Sequence, residues 1–322
     1  MLLPAHEFVK PTSLNEGLAL LARAGASARL MGGGTDVIFN MRNRLMQPEL
    51  LMSLRDLPEM QGVEFRADGM LRLGGACRLA DLAEHAGIAA RFPGLPAAFH
   101  AVASSHVRNM ATLAGNLNLD TRCWYANQTQ EWRAAKGGCL KTGTPVCHVI
   151  HTAPHCVAIN NADTPPALMV LDASVQLASL GAVRTVPLTD YYRADGVQHT
   201  VRRADEILVE VLVPPTSDRF LFIKDTARQG IDVAYGVIAA RRSAAGTVRL
   251  ALGSLGPAPV ILRRAADIAS RDGLGDDAIA AAVEATREDL GTLSNLYTPA
   301  SYKRELARGL VRRALTALRE TG

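Results

Sequence analysis

No stretch of this 322-residue chain approaches the roughly 18 consecutive apolar residues of a membrane-spanning helix, and the sequence predicts no membrane span. Its start, Met1-Leu2-Leu3-Pro4-Ala5-His6-Glu7, lacks a basic segment followed by a long apolar one. No secretory signal is therefore expected, and the expected compartment is cytoplasmic. An excess of one charge is missing too. The formal net charge is +4 with no long basic run, which argues against nucleic acid as a partner. The arginines near the C-terminus read as the solvated face of a helix. Internal repeats and low-complexity tracts are absent. Cysteine is scarce, with five in the chain, and a reducing compartment turns those few away from structural disulfides and toward metal.

What remains is an ordinary globular composition, 48% hydrophobic and 20% charged, over a length sufficient for two or three cores. Cys123, Cys139, Cys147 and Cys156 fall between Asp120 and Cys156, with both tryptophans, Trp124 and Trp132, and with His148, His151 and His155. Gly137, Gly138, Gly143, Pro145 and Pro154 mark this stretch as an irregular loop. Successive cysteines are separated by 15, 7 and 8 residues, unlike the paired C-x-x-C knuckles of most structural zinc sites. Four thiolates on one long loop suit an iron–sulfur cubane, which is large and can be reached from separated points. Zinc stays open, since a histidine can replace a thiolate. Trp124, Tyr125 and Trp132 either shield such a centre from water or anchor the loop. Cys77, alone after Gly74-Gly75-Ala76, reads as a small buried apolar residue.

Ser13-Leu14-Asn15-Glu16 fits a capping box, and Leu14, Leu18 and Leu21 recur at helical spacing until Gly25. A strand at Arg29-Leu30-Met31 then runs into Gly32-Gly33-Gly34-Thr35-Asp36, followed by a short helix from Val37 to Arg44 and a strand from Glu49 to Leu54. The glycine loop of such a unit lies at the carboxyl end of a strand, where bare backbone amides can approach a phosphate. Alone the motif is weak, because tight strand-to-helix turns use glycine anyway, and it is not the dinucleotide G-x-G-x-x-G fingerprint. Thr112 to Asn116 has the same character: hydroxyl, glycine and amide can clamp a ligand or cap a turn.

Further strands are expected near Met70 to Leu73, Ser174 to Ser179 and Ile207 to Val213, with helices near Leu79 to Ala86 and Leu95 to Ser104. Pro214-Pro215 marks a domain boundary. Beyond it, Arg219 to Lys224, Val233 to Arg242 and Thr247 to Gly253 predict an antiparallel sheet. Two helices follow, at Asp276 to Asp289 and from Thr298 as N-cap with Pro299 at the first helical position. Lys224 either reaches a ligand at the domain seam or pairs with a surface acid.

Taken in order, Gly32 to Asp36, Val107 to Leu117, Asp163 ahead of Pro166-Ala167-Leu168, and Lys224 with Arg228 and Asp232 resemble the FAD-binding subunits of the molybdenum hydroxylase, or xanthine oxidase, family. The resemblance covers essentially the whole chain, and Tyr302-Lys303-Arg304-Glu305-Leu306-Ala307 is similar to the last helix of those subunits. Most of them pass directly from the Gly-Asn-Leu loop to an Asp-x-x-Pro-Ala-Leu segment. The four-cysteine insert, through Asp120-Thr121-Arg122-Cys123, Cys139-Leu140-Lys141 and Cys147-His148-Val149-Ile150, resembles that of 4-hydroxybenzoyl-CoA reductase β subunits, which holds a [4Fe-4S] cluster.

The resemblance implies an α+β fold: a two-part FAD-binding domain of CO dehydrogenase flavoprotein type, residues 1–56 and 57–217 with the insert at 120–160, then an α+β C-terminal domain, 218–322, with a small antiparallel sheet. It implies that Leu30, Met31, Gly32, Gly33, Gly34, Thr35 and Asp36 bind the FAD pyrophosphate through backbone amides, with Val102 lining the site. Thr112, Gly115, Asn116 and Asp163 would hold the ribityl and phosphate portions, Lys224 would lie near the isoalloxazine, and Cys123, Cys139, Cys147 and Cys156 would ligate the cluster. The family commonly has alanine in place of Gly32, a change that keeps the amides. No catalytic acid or nucleophile is expected on this chain. The implied partners are a molybdopterin-containing large subunit, a small subunit with two [2Fe-2S] clusters and a ferredoxin-type donor, in a dimer of heterotrimers. Electrons would be relayed for reductive dehydroxylation of an aryl-CoA in anaerobic aromatic degradation. The alternatives are a FAD subunit of a molybdenum hydroxylase running oxidatively, and a zinc-stabilised nucleotide-binding module with no redox role.

Overall fold

The computed structural model describes residues 2–228, 231–291 and 298–320. The first unit contains β1 (Glu7–Val9), α1 (Leu14–Ala24), β2 (Ala28–Met31), α2 (Val37–Arg42) and β3 (Leu50–Ser53). β3 lies between β1 and β2 and pairs parallel with both. All four of its residues are buried, as a central strand covered on both faces requires. Leu18 and Leu21 of α1 pack into the same core as Leu50 and Met52, and the helix stops at Gly25, φ 55°. The capping box forms in a shifted version. Ser13 Oγ accepts from the Glu16 amide at 3.2 Å, but Glu16 Oε2 accepts from the amide and the hydroxyl of Thr12, each at 2.7 Å. Thr12 offers two donors where the Ser13 backbone offers one.

The second unit opens with β4 (Val63–Phe65) and β5 (Leu71–Gly74). Short helices follow: α3 (Leu79–Ala83), α4 (Ala86–Arg91), α5 (Leu95–His100), α6 (Ser105–Arg108), α7 (Leu113–Leu117), α8 (Gln130–Ala135) and α9 (Thr164–Val170). The chain returns through β6 (Ser174–Ser179), β7 (Ala182–Pro187), α10 (Leu188–Tyr191) and β8 (Ile207–Val213). The strands form an antiparallel sheet in the order β4-β5-β8-β6-β7. β8 is central and almost wholly buried, matching its apolar run. Every residue of α9 is buried. Pro165 and Pro166 stand in its first turn, where a missing N–H costs no helical bond.

The third unit holds β9 (Arg219–Asp225), β10 (Gly236–Arg242), β11 (Val248–Gly253), β12 (Val260–Ile261), α11 (Arg263–Asp272), α12 (Asp276–Asp289) and α13 (Ala300–Glu320). Its sheet is antiparallel in the order β12-β11-β10-β9. Alternation along the strands divides its two faces. Ile238, Ala240, Leu250 and Leu252 pack with Leu310, Val311, Ala314 and Leu315 of α13, whereas Ala239 and Ala251 join the core that contains α9. The sheet therefore lies against the second unit. The first bond of α13 runs from the Lys303 amide to Pro299 O at 3.2 Å, so the helix starts one residue later than the sequence predicts, within the usual spread of helix ends. Among the described residues no helix is long and apolar enough to cross a membrane.

Candidate functional site

The loop at residues 32–36 leaves the carboxyl end of β2 and presses against the segment before α7. A Cβ on Gly33 would lie 1.7 Å from Met110 O, and one on Gly32 would lie 2.3 Å from Thr112 Oγ1. Glycine is dictated there by close approach, and at Gly34 by a φ of 77°. Among the described residues, the amides of Gly33, Gly34 and Thr35 have no acceptor. They border a cleft of about 350 Å³.

Asp163, just before α9, lines the same cleft and is 5% exposed. Its Oδ2 accepts from Lys224 Nζ on β9 at 3.0 Å, and Lys224 also donates to Ala101 O at 2.7 Å. Its Oδ1 is buried without a partner. Burial pushes the Asp163 carboxyl up to about 6 against the pull of Lys224. Open amides and an unpaired buried acceptor in one cleft fit a ligand with an anionic group and hydroxyl donors, and FAD has both in its pyrophosphate and ribityl chain.

Leu30, Met31, Asp36, Val102, Thr112, Gly115 and Asn116 also border the cleft. Several of their side-chain oxygens are engaged within the fold, both of Asp36 among them, which accept from Arg122 and from the Asp120 amide. Thr112 Oγ1 accepts from the Gly115 amide at 3.2 Å, capping α7, and Asn116 Oδ1 accepts from the Thr164 hydroxyl at 2.7 Å, tying α7 to α9. Val233 and Ala234 border the cleft instead of extending β10, which begins three residues later than the sequence predicts.

A second cavity of about 210 Å³, which no sequence motif marks, shares Gly32 and Thr112 with the cleft and is lined further by Arg29, Met60, His199, Arg202 and Leu208. These residues come from separate segments and form no motif. Both ring nitrogens of His199 are buried, and burial lowers its pKa against the opposing pull of Asp120 and the Val197 backbone. The cleft also continues into a space of about 680 Å³ between the insert and the third unit, sharing Arg122, Asn161 and Asp232 with it.

The insert leaves at Arg122 and returns at Ile159, which exchange backbone hydrogen bonds of 2.7 and 2.8 Å. All four of its cysteines are free. Cys139, Cys147 and Cys156 are buried and Cys123 partly so. Polar hydrogens gather on the sulfurs: the Ile150 amide at 3.4 Å from Cys147, the Thr142 hydroxyl at 3.7 Å from Cys139, the Tyr125 and Ala126 amides on Cys123, and the Ala158 amide on Cys156. Burial pushes the Cys123 thiol up and that of Cys156 to about 11, and the neighbouring sulfurs add repulsion: Cys139 and Cys147 on Cys123, Cys123 and Cys139 on Cys156. Donors aimed at sulfur favour thiolates, and crowding of buried thiolates calls for cationic charge among them. The donor set fits a polynuclear iron–sulfur centre. Among the described residues no three His, Cys, Asp or Glu side chains converge on a position for a single metal ion. His148 is engaged by Gly138 O at 2.7 Å, and His151 and His155 are exposed. Tyr125 packs on Trp132 and His148 with ring centroids 6.1 and 5.0 Å apart, holding the insert together, while Trp124 is 44% exposed.

Residues 4–216 match the FAD binding domain in molybdopterin dehydrogenase, and residues 222–318 match the CO dehydrogenase flavoprotein C-terminal domain. The aldehyde oxidoreductase FAD-binding subunit PaoB of Escherichia coli is 31% identical over 75% of this chain and 79% of its own length. The carbon monoxide dehydrogenase medium chain of Hydrogenophaga pseudoflava is 26% identical over 98% of both. Among solved structures, carbon monoxide dehydrogenase from Hydrogenophaga pseudoflava gives a TM-score of 0.82 at 24% identity, covering 99% of both chains. Quinoline 2-oxidoreductase from Pseudomonas putida 86 gives 0.81 at 24% identity, covering 100% of this chain and 99% of that one. The expected α+β order, a FAD-binding domain and then a C-terminal domain with a small antiparallel sheet, is the architecture found.

Proposed function

The chain belongs to the FAD-binding medium subunits of the molybdenum hydroxylases, and from that premise we propose that it is a flavo-iron–sulfur relay working in the oxidative direction. FAD is held in the cleft between the glycine loop and Asp163. The observation that carries this reading is the buried, unpartnered Oδ1 of Asp163 in one cleft with the open amides of residues 33–35. Bound FAD supplies one- and two-electron transfer chemistry. The protein's part is to orient and tune it: the loop amides receive the pyrophosphate, Asp163 accepts from the ribityl chain, and Lys224 keeps a positive charge on the cleft wall. Such a charge favours added electron density nearby.

Cys123, Cys139, Cys147 and Cys156 hold a [4Fe-4S] cluster in this reading, and the sulfur-directed amides support it. The chain divides into 1–56 and 57–217, which enclose the flavin, and 218–322, which supplies Lys224. Its partners are a molybdopterin-containing large subunit, a small subunit with two [2Fe-2S] clusters and a ferredoxin-type carrier, arranged as a dimer of heterotrimers. The relatives above are named for the oxidation of aldehydes and carbon monoxide, which favours a hydroxylase over reductive dehydroxylation of an aryl-CoA.

Anaerobically purified protein should contain FAD with about four iron and four acid-labile sulfide per chain. Zinc without iron, or no flavin, would sink the assignment. In the assembled complex an aldehyde should bleach the flavin absorbance without oxygen. Bleaching only by a low-potential reductant, with turnover of an aryl-CoA, would restore the reductive reading.

A further inference from the structure

Arg133 belongs to the insert, yet half of its hydrogen bonds leave it. The residue is 7% exposed. Nη1 donates to Asn43 O at 3.0 Å and Nη2 to Arg44 O at 2.8 Å, while Nη1 also reaches Gln128 O and Ala126 O within the insert. Asn43 is the residue on which α2 ends. At the other end of α2, Arg122 pairs with Asp36 and donates to Asn40 Oδ1 at 2.7 Å. Asp36 closes the glycine loop, and its Oδ2 also accepts from the Asp120 amide at 3.4 Å. Lys141 in turn holds Asp120 at 2.8 Å. α2 has six residues, of which only Asn40 and Met41 are buried, too few for a helix to hold its own position. The insert grips it at both ends.

We infer that Arg133, with Arg122, is a positioning residue for the phosphate-binding loop, so that the cysteine insert sets the affinity for the FAD pyrophosphate. The inference rests on the FAD reading and is independent of which metal the cysteines hold. It makes the two cofactor sites interdependent. The Gly138 amide donates to Arg133 O at 2.9 Å, so the residue before Cys139 is fastened to the turn that carries the clamp. Loosening the cysteines releases α2, and the loop amides lose their register with the ligand.

The test uses the full chain stripped of flavin and measures dissociation constants for FAD, ADP and riboflavin in wild type, Arg133→Met and Arg133→Lys. ADP carries the pyrophosphate without the flavin, and riboflavin carries the flavin and ribityl chain without any phosphate. In R133M the affinities for FAD and ADP should fall together by about tenfold, with riboflavin binding and iron content unchanged. R133K keeps the charge but cannot serve both sets of carbonyls, and should give a smaller parallel fall. It also carries the test if R133M does not fold. FAD and ADP affinities within about twofold of wild type in the folded variants would overturn the inference. So would an equal loss for all three ligands, which marks general loosening. A wild-type chain that rebinds neither FAD nor ADP would overturn the FAD reading, and the clamp with it, before any variant is compared.

Discussion

Lys224 Nζ lies 3.0 Å from Asp163 Oδ2, joining a strand of the C-terminal sheet to the residue ahead of α9 and leaving Asp163 Oδ1 without a partner. The pair fastens the third unit to the second and points one unused acceptor at the cleft. Burial of a carboxylate with half of its hydrogen bonds unmade is costly, and a ligand hydroxyl removes that cost.

The pH dependence of flavin binding follows from this pair. Burial raises Asp163 to about 6 even with Lys224 beside it. A hydroxyl donating to Oδ1 favours the ionised carboxyl, so FAD affinity in the wild type should weaken as pH falls through about 6. Asp163→Asn should bind FAD more weakly, with a flat profile. For the ligand-free chain the sign reverses. The folded pKa lies above the ordinary 3.8, so the stability this group contributes is full below 3.8 and is lost as pH rises to about 6. Equilibrium titrations of FAD across about pH 5 to 8 check the first statement, and a wild-type profile as flat as that of D163N would refute it.

Gly33→Ala should release FAD. The added carbon would stand 1.7 Å from Met110 O, a backbone atom that cannot swing aside. The two loops must part, at a cost of about 1–3 kcal/mol. Gly25→Ala is the matched control. Its φ of 55° strains alanine, but nothing lies within 4 Å of the new carbon, so it should lower the melting temperature and leave the flavin-to-protein ratio alone. A wild-type flavin ratio in G33A would count against the loop as the phosphate site.

Under the proposed cluster assignment, Cys156→Ser should remove visible charge-transfer absorption and iron, and should weaken FAD binding in the same manner as R133M. Cys77→Ser should do neither. Cys77 lies outside the insert with its Sγ 3.3 Å from Gly62 O, a contact that a serine hydroxyl can keep. Equal iron content in the two variants would contradict the assignment.

Much of the scaffold was legible because it depends on local pattern. The apolar run Ile207–Val213 is a central strand, the double proline follows it directly, and α12 has the predicted bounds Asp276–Asp289. β2, the glycine loop and α2 follow one another as predicted, since a tight strand-to-helix turn leaves its composition in the sequence. The cysteines announced themselves by crowding into one loop.

What stayed illegible depends on chain-distant contacts. Arg133 looks like any arginine on a polar helix, and only the fold brings Asn43 O and Arg44 O to its guanidinium. His199, Met60 and Leu208 meet at one cavity because β8 runs beside β5, a pairing across more than a hundred residues. From sequence, Thr112 and Asn116 fit a ligand clamp or a turn cap equally. Their oxygens cap and tie helices while the same residues border the cleft.

The two backbone hydrogen bonds between Arg122 and Ile159 bring the ends of the insert side by side. A segment whose ends touch can be excised or transplanted without redirecting the chain around it, because closing the gap takes only a short turn. The cysteine loop is therefore a cassette. Grafted at the matching position of a plain flavin subunit it would bring its four cysteines and, through Arg122 and Arg133, its own fastening to the host's glycine-loop helix.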